Sequence, residues 1–413
     1  MSTPNYKRTK YACYYSYLSM SSVFCLPPLL FMTFQDTYGI SYTLLGTLVL
    51  VNFCTQLTVD LIFSFFTKIF NIAKTVKVMP LLTSAGLVVY ALVPTFFPEY
   101  AYAGLVAGTV IFSIAAGLCE VLLSPVIAAI PSEHPDKDMS LLHSLYAWGV
   151  VSVVVFSTIF LKIFSTENWM YLTLFFAALP LVASYLFATS PIPPMNVTQS
   201  LASKGDKKRN KTLLLCVMCI FLGSAAENTM SNWVSSFMEN ALQIPKSVGD
   251  IFGVALFAVF LGLGRSFYAK YGKNITNALV IGMIGAVVCY LTAGLSGNVI
   301  FSFIACALTG CCTSMLWPGS LIMMEEKIPN PGVVAYALMA AGGDFGASVA
   351  PQLLGIIVDT VSANSSAVQF AQSMSLAPEQ LGMKVGMLAA AVFPLLGVLL
   401  LLYVKKSEKS KTE

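Results

Sequence analysis

Five charged side chains sit inside long apolar stretches of this sequence: Asp60 in QLTVDLIF, Glu120 in GLCEVLLSP, Glu227 in AAENTMSNW, Asp344 in AGGDFG, and Arg265 at the end of FLGLGR. A charge at the centre of a hydrocarbon layer costs about 2.5–3.5 kcal/mol on insertion scales, so each of the five needs a physical reason to be there. Desolvation favours the neutral carboxyl, and a neutral acid can exchange a proton or hydrogen-bond to a hydroxyl. Glu120 is the first candidate for such chemistry and Glu227 the second. Glu227 heads the richest polar and aromatic run in any apolar stretch, with Asn228, Thr229, Ser231, Asn232 and Trp233. Glu227 and Ser231 share one helix face, with Met230 and Val234 beside them. Acid, amide and indole groups together suit recognition of a hydroxylated solute. The competing reading makes Trp233 an interface anchor and the amides helix-packing groups.

The remaining candidates read as follows. Asp344 follows two glycines that allow close helix approach, so it reads as an interhelical hydrogen-bonding group beside a binding site. Asp60 and Arg265 occupy corresponding depths and read as gate or interface charges. Trp317, before Pro318, is a candidate stacking or gating ring. His143 can titrate near neutrality, although a packing hydrogen bond is the simpler role. Metal-ligand clusters, nucleotide-binding loops and nucleophile motifs are missing from the sequence, so no catalytic residue, metal or cofactor is expected.

The elements that must position these residues follow from composition. The chain has 413 residues, 57% hydrophobic and 10% charged, with a mean hydropathy of +0.78. Soluble globular chains are about 25% charged. The excess apolar surface must face lipid. Twelve apolar segments emerge, at 12–34, 43–66, 78–97, 101–130, 139–163, 169–189, 212–238, 247–268, 275–295, 298–323, 332–359 and 383–404. A spanning helix needs about 20 residues. The polar, basic stretch 190–211 then divides residues 1–189 from residues 212–413, six spans on each side. Pro27-Pro28, Pro125 and Pro318 are expected to kink spans 1, 4 and 10. The ten cysteines lie mostly inside apolar segments and read as small packing residues.

With the N-terminus in the cytoplasm, 20 of the 23 Lys and Arg residues fall inside, and Lys162, Lys246 and Lys384 fall outside. That asymmetry fixes both termini as cytoplasmic. Basic residues spread over short loops are not a nucleic-acid signature. The basic, polar start carries no cleavable signal pattern. The halves also repeat: a shift of 193 residues lays GLCEVLLSP on GCCTSMLWP, matching Gly117 with Gly310, Cys119 with Cys312, Leu123 with Leu316 and Pro125 with Pro318. The same shift pairs Gly149 with Gly342, but Glu120 with Thr313. The fold therefore reuses the glycine and proline and does not itself require the glutamate.

Two six-span halves, a basic central linker and cytoplasmic termini resemble the major facilitator superfamily. GLCEVLLSPVIAAIP, SLLHSLYAWG, AAENTMSNW, FLGLGR, WPGSLIMMEE and AGGDFG resemble its fucose-permease-like branch of sugar–proton symporters. Two features depart from that pattern. The superfamily's loop signature is reduced to FSFFTKIFN and AKYGK, and span 1 carries no acid. The resemblance implies an all-α membrane protein, twelve transmembrane helices in two pseudo-symmetric six-helix bundles, with spans 1, 4, 7 and 10 lining a central cavity. It implies a secondary transporter of the cell membrane taking up a sugar or similar small hydroxylated solute with protons. Its partners would be that solute, H+ and the lipid bilayer; it would work as a monomer. Proton-driven export of amphipathic compounds and a non-transporting membrane sensor are the alternative readings.

Overall fold

The computed structural model describes residues 5–66, 71–133, 135–193, 207–328 and 333–412. All regular structure among the described residues is helical. The first helices are α1 (Lys7–Leu29), α2 (Phe31–Tyr38), α3 (Tyr42–Phe66), α4 (Ile72–Phe96), α5 (Ala101–Ala129), α6 (Pro135–Phe164) and α7 (Trp169–Ala188). Then come α8 (Lys207–Asn240), α9 (Lys246–Val248), a π-helical stretch Gly249–Ala255, α10 (Leu256–Tyr271), α11 (Ile275–Leu295), α12 (Val299–Thr313) and α13 (Leu316–Lys327). The chain closes with α14 (Val333–Ala363), α15 (Ser365–Ser373), α16 (Pro378–Ala390) and α17 (Val392–Thr412). Ten helical stretches among the described residues are long and apolar enough to cross a membrane, and α1 with α2 makes an eleventh. The predicted fifth span corresponds to α6, whose Trp148–Phe164 portion is a shorter apolar helix.

The prolines act unevenly. Pro27 and Pro28 remove two donors near the end of α1, and the chain bends by 46° into α2. Span 10 breaks into α12 and α13 at Ser314 and Met315, four and three residues before Pro318. The backbone of α5, in contrast, is helical through position 125; the Pro125 side chain lies outside the described residues. The Ser/Gln-rich connection before the last span carries α15, capped by Asn364, whose side chain accepts from the Ala367 N–H at 3.0 Å.

Close contacts divide the chain into two compact units, residues 1–39 with 51–198, and residues 40–50 with 199–413. Residues 194–206 of the linker lie outside the described residues. Each unit is held by glycines at close approaches. In the first, a Cβ on Gly149 of α6 would meet Ser21 Oγ of α1 at 2.5 Å, and one on Gly117 of α5 would meet Val59 of α3 at 3.2 Å. In the second, a Cβ on Gly342 of α14 would meet Val217 of α8 at 2.7 Å, and one on Gly310 of α12 would meet the Phe257 carbonyl of α10 at 2.2 Å. The paired glycines of the sequence repeat thus make corresponding contacts, fifth span on first and fourth span on second in each six-span set. Small residues serve this purpose in membrane bundles, where packing rather than water exclusion drives association.

The outward faces are apolar, as lipid requires. Ile281, Ile284, Val288, Leu291 and Leu295 form an exposed stripe along α11. The first turns of α3 belong to the second unit. The Asp359 carboxylate accepts from the N–H groups of Tyr42 (3.2 Å) and Thr43 (2.6 Å), capping α3 from another helix. Gly355 and Gly46 make room for this approach, since a Cβ on either would lie within 3.1 Å of backbone across the contact.

At one end the first unit carries a polar clasp. Asp138 pairs with Lys10, accepts from Tyr14 Oη at 3.2 Å, and accepts from Ser132 Oγ at 2.6 Å. The Lys10 ammonium, followed by the Ser132 hydroxyl, holds the Asp138 carboxyl below its ordinary range. A carboxyl lowered on folding adds stability that is complete above its unfolded value, about pH 4, and is lost as pH falls through the folded value. The thermal midpoint of the protein in detergent should therefore exceed that of Asp138→Asn by a constant margin above about pH 5, and the margin should vanish on acidification. A margin that persists at lower pH than the folded carboxyl can hold its charge would contradict this assignment.

Candidate functional site

The second unit brings three of its spans to one point. Glu227 lies on α8, Arg265 on α10, and Ser314 at the break between α12 and α13. A guanidinium nitrogen of Arg265 lies 3.5 Å from Glu227 Oε1, and Arg265 Nε donates to the Ser314 carbonyl at 3.0 Å. The sequence explains why that carbonyl is available. In a helix it would accept from the N–H four residues on, and that residue is Pro318, which has none. Arg265 supplies the missing donor. Gly264 allows the approach, because a Cβ there would lie 2.3 Å from Ser314 Oγ. The FLGLGR stretch is thus a glycine that admits the span-10 break, followed by the arginine that satisfies it.

The Glu227 side chain is 15% exposed and that of Arg265 is 34% exposed. Glu227 Oε1 faces the guanidinium, whereas Oε2 is buried with no hydrogen-bond donor among the described residues. Beside it on α8 runs a polar face. Asn228 Nδ2 donates to Ser224 Oγ at 3.1 Å, and Asn232 Nδ2 donates to the Asn228 carbonyl at 2.8 Å. Glu227, Asn228 and Ser231 are the partly exposed members of this face, while Asn232 is 7% exposed. The arrangement offers a carboxylate acceptor, an amide and a hydroxyl, with a cation at the rear of the acid. That set can bind a neutral hydroxylated solute or take up a proton.

The other predicted residues separate. Trp233 is fully buried; its indole N–H donates to the Pro351 carbonyl at 3.0 Å and its ring lies 6.1 Å from that of Tyr42. It anchors α8 to α14 and to the start of α3, as the competing reading had it. Trp317 is half-buried and lies over Gly343 of α14, where a Cβ would meet the indole at 2.4 Å. Gly346 likewise meets the Phe221 carbonyl of α8, so AGGDFG is a glycine face with Asp344 set in it, 3% exposed. In the first unit Glu120 is half-buried on α5 and Asp60 is 3% exposed on α3. Arg265 finds its carboxylate in Glu227, within its own unit. The side chain of His143 lies outside the described residues. Sequence reasoning missed the Ser314 carbonyl, although a proline four residues downstream was the signal that could have found it.

With this geometry in hand, comparison with known proteins defines the class. The sequence profile of the Major Facilitator Superfamily matches residues 15–351. The chain belongs to that superfamily: it is a multi-pass integral membrane transporter, not an enzyme. No curated protein matches it. Among solved structures, a bacterial homologue of the human lysosomal transporter Spinster is similar at TM-score 0.77, with 12% identity over 98% of both chains. A D-xylose–proton symporter is similar at 0.72, with 15% identity over 94% of this chain and 96% of its own. The fucose:proton symporter of E. coli is similar at 0.58, with 12% identity over 95% and 99%. At these identities the likeness establishes the fold.

If Arg265 is the donor that replaces the proline's missing N–H, the two positions must be coupled. Pro318→Ala returns a helical donor to the Ser314 carbonyl. Arg265→Lys, which lacks the forked geometry, should then cost about 1–2 kcal/mol in the parent and much less in the Pro318→Ala background, by thermal unfolding in detergent. Equal costs in both backgrounds would show that Arg265 does not serve that carbonyl.

Proposed function

We propose that this chain is a proton-coupled secondary transporter of the cell membrane, with both termini cytoplasmic, that takes up a sugar or similar small hydroxylated solute by alternating access. The observation that carries the reading is Glu227 Oε2, a buried carboxylate oxygen without a donor among the described residues, on the partly exposed face that also holds Asn228 and Ser231. A solute hydroxyl is the natural donor for such an oxygen, and the Asn228 amide can hold a neighbouring hydroxyl. Trp317, half-buried at the span-10 break, is the ring placed to stack on an apolar sugar face. Asp344 adds an acid one span away. Two of the similar folds are named as sugar–proton symporters, which supports the reading without deciding the cargo.

Glu120 is the coupling acid in this account. It has no counterpart in the second half of the repeat, so its presence answers a need other than folding. Proton uptake neutralises it, which lowers the cost of moving it through a dry intermediate.

Counterflow into proteoliposomes with a panel of labelled sugars, with and without an inward proton gradient, tests the reading. At least one sugar should exchange, and the gradient should drive its accumulation. Glu120→Gln should keep exchange but lose uphill accumulation. Failure of every sugar together with expulsion of an amphipathic dye would establish the export reading instead.

A further inference from the structure

The first unit contains a second buried polar feature, one that the apolar context hides in the sequence. Asn52, Gln56 and Asp60 recur at i, i+4 and i+8 on α3, which places them along one helix face. Ser113, Gly117 and Glu120 recur at i, i+4 and i+7 along one face of α5. The two faces meet. Ser113 Oγ donates to Asn52 Oδ1 at 2.6 Å, and a Cβ on Gly117 would lie 3.3 Å from the Gln56 Cα. The second contact is four residues beyond the first in both helices, so α3 and α5 run the same way in a fixed register. One further turn brings Asp60 level with Glu120.

This stripe is dry and almost complete. Gln56 is fully buried, Ser113 is fully buried, and Asn52 is 8% exposed. Gln56 Nε2 donates to Asn52 Oδ1 at 3.0 Å, which commits the amide nitrogen and leaves the amide oxygen to another donor. That Oε1 is buried without a hydrogen-bond donor among the described residues. A buried amide oxygen needs a donor, and leaving it without one costs about 1–3 kcal/mol. Two ionised carboxylates at one depth cannot supply a donor and repel one another. One carboxyl carrying a proton removes the repulsion and provides an O–H.

We propose that Asp60 and Glu120 form a single proton-binding pair, with Gln56 as the positioning residue that accepts a hydrogen bond from its protonated member. Loading forms one O–H bond on a carboxylate oxygen with a proton taken from water. Release breaks that bond, returns the proton to water and leaves both carboxylates charged. The pair deepens the transport reading above and rests on it for its purpose; its existence can be tested without any solute.

Other groups that could titrate must be separated from it. On α3 and α5 themselves these are Tyr42, Cys54, Tyr102 and Cys119. On the helices packed against α5 they are Tyr11, Cys13, Tyr14, Tyr15, Tyr17 and Cys25 with Lys7, Arg8 and Lys10 of α1, Tyr90 with Lys74 and Lys77 of α4, and Asp136, Asp138 and Tyr146 with Lys137 and Lys162 of α6. The carboxyls among them are Asp136 and Asp138, the second paired with Lys10, and Asp136→Asn and Asp138→Asn should each leave the band unchanged. His143 of α6 is controlled by substitution.

The experiment is pH-difference infrared spectroscopy of the full chain in lipid, following the protonated-carboxyl C=O stretch between about pH 5 and 9. Glu120→Gln should remove the main titrating band. Asp60→Asn should displace the midpoint of the remaining Glu120 band by about one pH unit or more, because one member of the pair is gone. Gln56→Leu should shift the band's frequency by removing the acceptor, and it decides the matter if Asp60→Asn fails to fold. His143→Asn should leave the band unchanged. A band unaltered in frequency and midpoint by Asp60→Asn and by Gln56→Leu, or one moved by His143→Asn, overturns the pair. Because no sugar is present, that failure would leave the transport reading standing, and a failed sugar panel would leave the pair standing.

Discussion

A guanidinium shared between a carboxylate and an orphaned carbonyl is the interaction on which the second unit depends. Arg265 is the point where three spans agree: the acid of α8, its own helix α10, and the interruption between α12 and α13. Each member alone would be a liability in a bilayer. The carboxylate would lack a countercharge, the arginine would have to reach for the interface, and the Ser314 carbonyl would be left without a donor. Together they are tolerated, and Glu227 Oε2 has no donor among the described residues. A broken helix in a membrane is expected only where its freed backbone groups are satisfied by protein or water. Arg265 meets that condition, and it ties the conformation of span 10 to the charge of Glu227.

The glycines supply the second constraint. Gly149 in one unit, and Gly310 and Gly342 in the other, let helices approach so closely that an added Cβ would lie under 3.0 Å from a neighbour, and Gly117 gives a tight contact at 3.2 Å. They hold equivalent span pairs together in each unit, so the fold is built twice from the same contacts. What differs between the copies is the chemistry set upon them. Where the first unit has Glu120, the second has Thr313 beside a helix break satisfied by an arginine. The repeat is thus a scaffold that permits divergence at a few interior positions.

Much of this was legible in the sequence, because a bilayer leaves few options. Hydropathy alone located the spans, and the charge asymmetry of the loops is a strong orienting signal. The 193-residue repeat pointed to glycines whose contacts the structure then displays. Local features resisted reading where the decisive partner was a backbone atom or a neutral amide. The Ser314 carbonyl has no side-chain signature. Asn52 and Gln56 look like ordinary polar interruptions until Ser113 is seen against them. For Trp233 the two readings could not be separated from sequence: the structure turns it into the protein, against Pro351, as an anchor. The bend after Pro27-Pro28 followed expectation, and the span-10 break lies one turn before Pro318.

The central claim is that Glu227 and Arg265 exist in the membrane only as a pair. A double-mutant cycle of Glu227→Gln and Arg265→Gln, with unfolding free energies measured in lipid bicelles, tests it most directly. Each single change should destabilise the protein, by about 1–3 kcal/mol, since it strands one buried polar group. The double variant should lose clearly less than the sum, giving a coupling of about 1 kcal/mol or more. Strictly additive losses would mean that the two residues answer separate needs, and the account of the second unit would fall.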